Sequence, residues 1–295
     1  MADLVFFGDT IPQKGETILG YQHVIGPGGK GSNQAVAVAK AGGSVNFISK
    51  IGDDQYGKLA IEMYKESKVN YDNVIISKEY PTGAAGILVN KKTGENAINV
   101  VPGASGKITK NDIDQAVDQI SKSTIFLTQL EAPIEVVEYA LEKAKLQNVL
   151  TILNPAPAVK LNNKIFSFID YFTPNETEAS YYVNHKIETE KDAKHASIQL
   201  LDKGIKNIII TLGEKGAYFA NKSESFMIDA LDMKDKVVDT TGAGDAFNAG
   251  LAVALTEEKN HKEAIQFANV VGALSTTKIG TAKSMPLRSE IDKLL

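Results

Sequence analysis

Asp239-Thr240-Thr241-Gly242-Ala243-Gly244-Asp245-Ala246-Phe247 leads into an apolar helical run that continues to Leu255. Two glycines just ahead of a helix let successive backbone N–H groups converge on one point. The positive end of the helix dipole adds to that point. The product is an anion pocket made by Gly242, Ala243 and Gly244, with the carboxylate of Asp245 placed to take a proton from a neighbouring hydroxyl. An anion pocket beside a base suggests phosphoryl transfer to an alcohol. A plain glycine turn capping a helix is the alternative that the local pattern leaves open.

On either side of this stretch, short β-branched runs alternate with longer helical patterns. Strands are predicted at 45–51, 124–129, 149–154, 171–173 and 207–212, and helices at 32–41, 56–67, 113–120, 134–145, 191–203, 246–255, 262–276 and 287–294. That alternation argues for βαβ units and a mostly parallel sheet covered by helices. Two stretches break the rhythm. Residues 12–25 read as extended, and 84–89, 91–95 and 96–101 read as a hairpin about a Gly94 turn. They predict a small sheet outside the main layer.

A chain of 295 residues, 43% of them hydrophobic, has ample core for one large α/β domain. The net charge of −4 and the lack of a dense Lys/Arg block argue against nucleic acid as a partner. Without cysteine there is no disulfide or thiolate–metal chemistry. The histidines His23, His185, His195 and His261 show no metal-ligand spacing and are expected at the surface. No apolar run is long enough to span a membrane and the start lacks a signal-peptide pattern, so the expectation is a soluble cytoplasmic protein.

A second glycine cluster, Gly26-Pro27-Gly28-Gly29-Lys30-Gly31-Ser32-Asn33-Gln34, opens the helix predicted at 32–41. Gly26, Gly28 and Gly31 formally fit G-x-G-x-x-G, with Asp53 about twenty residues on. The dinucleotide reading fails on context, because that fingerprint follows a buried strand whereas Tyr21 to Ile25 is half polar. A close backbone approach to a small polar ligand fits better, with Lys30 and Asn33 offering donors. Gly103-Ala104-Ser105-Gly106-Lys107 is not a Walker loop, since no glycine stands five residues before Gly106. Asn175 and Glu178, in Thr173-Pro174-Asn175-Glu176-Thr177-Glu178, sit three apart at a helix start. Their oxygens suit Mg²⁺ near phosphates, and equally suit a helix cap. Glu131 ends a buried strand at the edge where α/β sheets bind ligands, or caps the next helix. Thr211-Leu212-Gly213-Glu214-Lys215-Gly216 could be a simple hairpin turn.

D-T-T-G-A-G-D-A-F strongly resembles the signature of the ribokinase (PfkB) carbohydrate kinases. Gly28-Gly29-Lys30-Gly31-Ser32-Asn33-Gln34 resembles the family's sugar-binding loop, with Ser32 where alanine is usual. The similarity runs from Ala2 to the end of the chain with the motifs in the family's order. It implies one domain over 1–295 with a three-layer α/β/α fold, a mostly parallel central sheet, and a small β-sheet lid from about 10–27 and 81–103. It implies ATP-dependent phosphorylation of ribose at O5, giving ribose 5-phosphate. Asp3, Gly29, Lys30, Asn33 and Glu131 would then grip the sugar hydroxyls, and Asp245 would be the base beside the Gly242–Gly244 amides. Thr211, Gly213, Gly216 and Asn269 would lie along the nucleotide, with Asn175 near its phosphates. Glu178 would hold Mg²⁺ through phosphate or water. Asp239, Thr241, Ser275, Lys278, Gly280 and Ser284 would bind K⁺, partly through backbone carbonyls. Asn154-Pro155-Ala156-Pro157 matches a family segment on the phosphate side. The resemblance also implies a homodimer through the lid sheets, with Ile87, Val89, Ile98 and Val100 as the apolar face that needs a partner.

The opening departs from the family. Its members usually begin with an apolar strand leading into G-S-x-N-x-D, whereas here the match starts at Met1-Ala2-Asp3-Leu4-Val5, with Met1 in place of the family's asparagine. The usual first core strand is expected to be absent, and the chain is expected to be a shortened version of a longer product or to begin at an internal methionine. Several unmade buried backbone bonds at about 1–3 kcal/mol each would rival a domain's net stability of about 5–15 kcal/mol. Other readings are a kinase for deoxyribose, fructose or a nucleoside, a catalytically dead sugar sensor and, least favoured, a dehydrogenase.

Overall fold

The computed structural model describes residues 1–93, 95–233 and 236–295. The first part of the chain forms β1 (Ala2–Gly8), β2 (Gln22–Pro27), α1 (Lys30–Lys40), β3 (Ser49–Gly52), α2 (Gln55–Glu66), β4 (Val74–Ser77), β5 (Thr82–Asn90) and β6 (Asn96–Gly103). Then come α3 (Lys110–Gln115), α4 (Val117–Ser121), β7 (Ile125–Thr128), α5 (Ile134–Leu146), β8 (Leu150–Leu153), β9 (Tyr171–Phe172), α6 (Glu176–Val183) and α7 (Glu190–Leu201). The last part forms β10 (Asn207–Thr211), β11 (Ala217–Asn221), β12 (Ser225–Ile228), α8 (Ala243–Thr256), α9 (His261–Ser275) and α10 (Arg288–Ile291).

The main sheet runs β12-β11-β10-β9-β8-β7, and β3-β4 form a separate parallel pair. From β7 to β10 every pairing is parallel, while β11 and β12 extend the sheet as an antiparallel hairpin. Buried parallel strands are apolar on both faces, and β10 shows the consequence. Ile209 enters a core with α1, α8 and α9, whereas Ile208 and Ile210 enter a second core with α5, α6 and α7. The result is the expected three-layer architecture. Helix α8 is buried from Asp245 through Ala254. It is apolar nearly all round because α1 and α9 pack on it.

The lid is a four-stranded sheet in the order β2-β1-β5-β6. Its inner strand β1 runs antiparallel to β2 and parallel to β5. Residues 2–8 thus belong to the lid, and the six-stranded sheet takes no strand from the first 120 residues. Within the extended stretch expected at 12–25, only Gln22 onward is strand; Pro12 and Gly15 lie in irregular chain, where proline has no ladder donor. The turn expected at Gly94 lies outside the described residues. The helix expected at 113–120 breaks at Ala116 into α3 and α4, and that expected at 287–294 is the single turn α10. Among the described residues no helix is long and apolar enough to cross a membrane.

Asp54 fastens the lid to the body. Its carboxylate caps α2 by accepting from the backbone N–H groups of Tyr56 and Gly57, at 3.0 and 2.8 Å. It also accepts from the N–H and hydroxyl of Thr82, the first residue of β5, at 2.7 and 2.8 Å. Burial acts to raise the pKa of Asp54, but the hydrogen bonds from Gly57, Thr82 and Tyr56 outweigh it and hold it below the usual range. The carboxylate therefore contributes stability at neutral pH that fades as pH falls through that lowered value. Asp54→Ala is expected to cost about 1–3 kcal/mol in urea unfolding at pH 7, and less near pH 3.

Candidate active site

The site is assembled where the N-termini of α1 and α8 meet. Gly242 caps α8 in the left-handed region, with φ of 81°, so the turn needs a residue without a side-chain penalty. Asp245 follows in the first turn and is buried, with 6% of its surface exposed. Its two oxygens accept from two adjacent amides of α1: Asn33 Nδ2 donates to Oδ2 at 2.9 Å and Gln34 Nε2 to Oδ1 at 3.0 Å. Burial raises the pKa of Asp245, while Lys30 and the two amides pull it back down. Asn33 Oδ1 is buried and has no hydrogen-bond partner among the described residues. A buried orphan acceptor next to a carboxylate is matched by a hydroxyl group.

Gln34 belongs to a longer amide chain. Its Nε2 also reaches Asn154 Oδ1 at 3.2 Å, and its Oε1 accepts from Gln129 Nε2 at 2.5 Å. Asn154 in turn donates to the Thr173 carbonyl at 3.1 Å. The ends of β7, β8 and β9 thus set the orientation of the carboxylate on α8. Sequence reading named Asn33 but missed Gln34 as a site residue. The available signal was two consecutive amides on an apolar helix, too polar to be buried without partners.

Asp3, Glu131 and Lys30 gather around the same point. The backbone N–H of Lys30 donates to Glu131 Oε2 at 2.7 Å. Asp3 projects from β1 onto Gly28, where a Cβ would collide with its carboxylate, so the close approach requires glycine at that position. Gly29 caps α1 and borders Met1. Burial raises the pKa of both Asp3 and Glu131; the Met1 ammonium and Lys30 oppose this, and the charge of Asp245 adds to it. The five residues expected around a sugar are therefore brought together.

Asn175 and Glu178 form a capping box on α6: Glu178 N–H donates to Asn175 Oδ1 at 2.8 Å, and Asn175 N–H to Glu178 Oε2 at 2.9 Å. The capping alternative is thus realised. The box also fixes Glu178 toward the centre, where burial raises its pKa and the charges of Lys30 and Asp245 act on it. Thr211 bridges to Asn175 at the end of β10. The Gly213–Lys215 turn follows, and Gly216 packs on the backbone of Ile228 to Ala230. Asn269 Nδ2 donates to the Asp229 carbonyl at 3.1 Å, which brings α9 to that same segment.

The residues expected around a monovalent cation are only partly convergent. Asp239 accepts from the N–H groups of Thr241 and Gly280, each at 2.9 Å, which joins the two loops. The Ser275 and Ser284 hydroxyls each donate 2.7 Å to a carbonyl three residues back, Gly272 and Thr281. The Lys278 ammonium pairs with Glu290 at 2.8 Å, so only its carbonyl could serve as a ligand. Among the described residues no group of three or more His, Cys, Asp or Glu is placed to hold a metal by itself.

A helix-mouth amide cluster with a fixed buried carboxylate, set at the carboxyl ends of a parallel sheet and covered by a β-lid, defines a phosphotransferase of the sugar-kinase class. The chain matches the model for the pfkB family of carbohydrate kinases over residues 1–288, and it belongs to that family. It is 39% identical to Ribokinase of Haemophilus influenzae over 98% of this chain and 94% of that one. It is 34% identical to Deoxyribokinase of Salmonella typhi over 100% and 96%. The solved structure of Arabidopsis thaliana Ribokinase complexed with ribose and ATP superposes with a TM-score of 0.92, at 31% identity, over 99% of this chain and 95% of that one.

If Gln34 fixes Asp245, Gln34→Leu should lower turnover about tenfold or more while leaving the KM for sugar within about threefold. Losing one of the two amides that stabilise the anion should also move the acid limb of the turnover profile to higher pH. Steady-state rates between pH 5 and 8 check both effects.

Proposed function

We propose that this chain transfers the γ-phosphoryl group of ATP to the 5-hydroxyl of ribose. The observation that carries this reading is the Asp245 carboxylate, buried at the mouth of α8 and gripped by Asn33 and Gln34. In the proposed step the sugar oxygen bonds to the γ-phosphorus, the bond to the ADP oxygen breaks, and the hydroxyl proton passes to Asp245. The amides of Gly242 and Gly244 meet charge on the transferring oxygens, whereas the Ala243 N–H already donates to the Thr240 carbonyl at 3.2 Å; removing one donor of this kind typically costs 10²–10³-fold. Asn33 Oδ1, Asp3 and Glu131 accept from other sugar hydroxyls, and Gly29 and Lys30 shape that side. Thr211, Gly213, Gly216 and Asn269 border the nucleotide, with Asn175 near its phosphates.

Buried carboxylates that repel one another fit a divalent cation. Glu178, with Asp245 close enough to raise its pKa, would hold Mg²⁺ through water and phosphate, and the ion would neutralise phosphate charge. Asp239 and the carbonyls of Thr241, Ser275, Lys278 and Gly280, with Ser284, are hard oxygen donors suited to K⁺ as an activator. The lid carries Asp3 and, on the same face, the cross-strand row Val24, Val5, Ile87 and Ile98. Ile98 and Val100 are 56% and 46% exposed, which supports a homodimer through the lid sheets. A second reading, deoxyribose as the sugar, is supported by the relative of that name.

ADP release over a panel of sugars tests the proposal. Ribose is expected to give the highest kcat/KM, with 2-deoxyribose at least about tenfold lower, because unpaired polar groups at a missing hydroxyl reject the analogue. Asp245→Asn should reduce turnover at least about a hundredfold with sugar binding kept; a loss below about tenfold rules out Asp245 as the base. Omitting K⁺ should lower the rate. Light scattering at micromolar concentration should report a dimer.

A further inference from the structure

Asp245, Gln34, Asn154, Thr173 and Asn248 are all buried, and hydrogen bonds join them into a ring that closes on the mouth of α8. One arc runs from Asp245 Oδ1 through Gln34 and Asn154 to the Thr173 carbonyl. The other starts at the Thr173 hydroxyl, which donates to Asn248 Oδ1 at 2.6 Å. Asn248 Nδ2 then donates to the Gly244 carbonyl at 2.8 Å. Gly244 directly precedes Asp245, so the two arcs meet. Thr173 is the node. It follows β9, its N–H donates to the Leu153 carbonyl of β8 at 3.1 Å, and it holds one arc by its carbonyl and the other by its hydroxyl.

Asn248 is the one polar side chain between Ala246 and Ala254 on this buried helix. A helical carbonyl ordinarily accepts the N–H four residues on; that of Gly244 accepts the Asn248 side chain as well. The plane of the Gly244–Asp245 peptide is thereby fixed. The N–H of that peptide belongs to Asp245 and lies in the first turn, where helical amides lack an intrahelical acceptor. The Ala246 N–H is the first to find one, the Gly242 carbonyl at 2.9 Å. A donor on the carbonyl side of a peptide polarises its N–H. Stability does not call for this polar pair, because apolar groups of the same shape at both positions are about as good for a fold.

We propose that Thr173 and Asn248 are positioning residues for phosphoryl transfer. Through the ring they hold the Asp245 carboxylate and the Gly244–Asp245 peptide at a fixed mutual angle, so that base and amide donor face one point. The inference rests on the proposed reading of the α8 mouth as the transfer site. Both side chains are 1% exposed and act on sugar and nucleotide only through the groups they hold. Their loss therefore falls on turnover rather than on binding.

Thr173→Val and Asn248→Leu each strand a buried partner, so each should lower the melting temperature. The double variant removes both partners and should regain most of that loss. Turnover should not return with it. In all three variants kcat with the best sugar should stay at least about tenfold below that of the unaltered chain, with KM within about threefold. Thr173→Ser keeps the hydroxyl and should hold kcat within about threefold. Recovery of kcat together with melting temperature in the double variant overturns the proposal, as does a Thr173→Ser chain as slow as Thr173→Val. Where the double variant does not fold, the serine and valine comparison decides. The unaltered chain separates the two readings. No ADP release with any sugar refutes phosphoryl transfer and this proposal with it, whereas full turnover in the variants refutes the positioning role alone.

Discussion

The pair of hydrogen bonds from Asn33 and Gln34 to Asp245 is the constraint around which the site is organised. A buried carboxylate without partners is strongly disfavoured and would take up a proton. The two amides set its direction and, with Lys30, oppose the rise in pKa that burial causes. The grip relies on the packing of α1 against α8, and both helices contribute small buried residues to the same core: Ala35 and Ala37 on α1, Ala246 and Ala249 on α8. The apolar sequence of α8 and the polar pair at the head of α1 are thus two parts of one arrangement. Core packing brings the amides within 3.0 Å of the carboxylate, and the carboxylate in turn makes burial of those amides tolerable.

Four carboxylates, Asp3, Glu131, Glu178 and Asp245, have pKa values raised by burial, and Asp245 raises the other three further. Groups shifted this way bind protons more tightly in the folded state, so their contribution to stability declines as pH rises through the shifted values. The arrangement is unfavourable for the empty fold at neutral pH. It becomes favourable when hydroxyl donors and cations enter, because each relieves a charge that the protein alone does not neutralise. Structural optimisation would remove such a cluster; a binding site keeps it.

Much of this was legible in the sequence because the decisive residues lie in short motifs that combine backbone geometry with chemistry. Gly242 to Asp245 prescribes a helix mouth with a carboxylate, and Gly28 to Asn33 a close approach. The βαβ alternation prescribes the layers. What escaped reading depends on distance in the chain. Gln34 meets a carboxylate 211 positions away, and no local pattern announces that. Asn175 and Glu178 satisfy a helix cap and face the site at once, so spacing alone could not separate the two roles. Strand β1 was not among the predicted strands, because it pairs with β2 and β5 by long-range register; of the stretch read as extended at 12–25, only Gln22 onward is strand. The break at Ala116 and the short α10 follow from tertiary packing overriding a periodic apolar pattern.

Strand β7 bears on the site through the residues that follow it. Most site residues stand on α1, α8 or loops whose positions are fixed by the second half of the sheet. Gln129 and Glu131 follow β7 instead: Gln129 donates to Gln34 at 2.5 Å, and Glu131 accepts from the Lys30 N–H at 2.7 Å. The end of β7 is therefore joined to Asp245 through two amides.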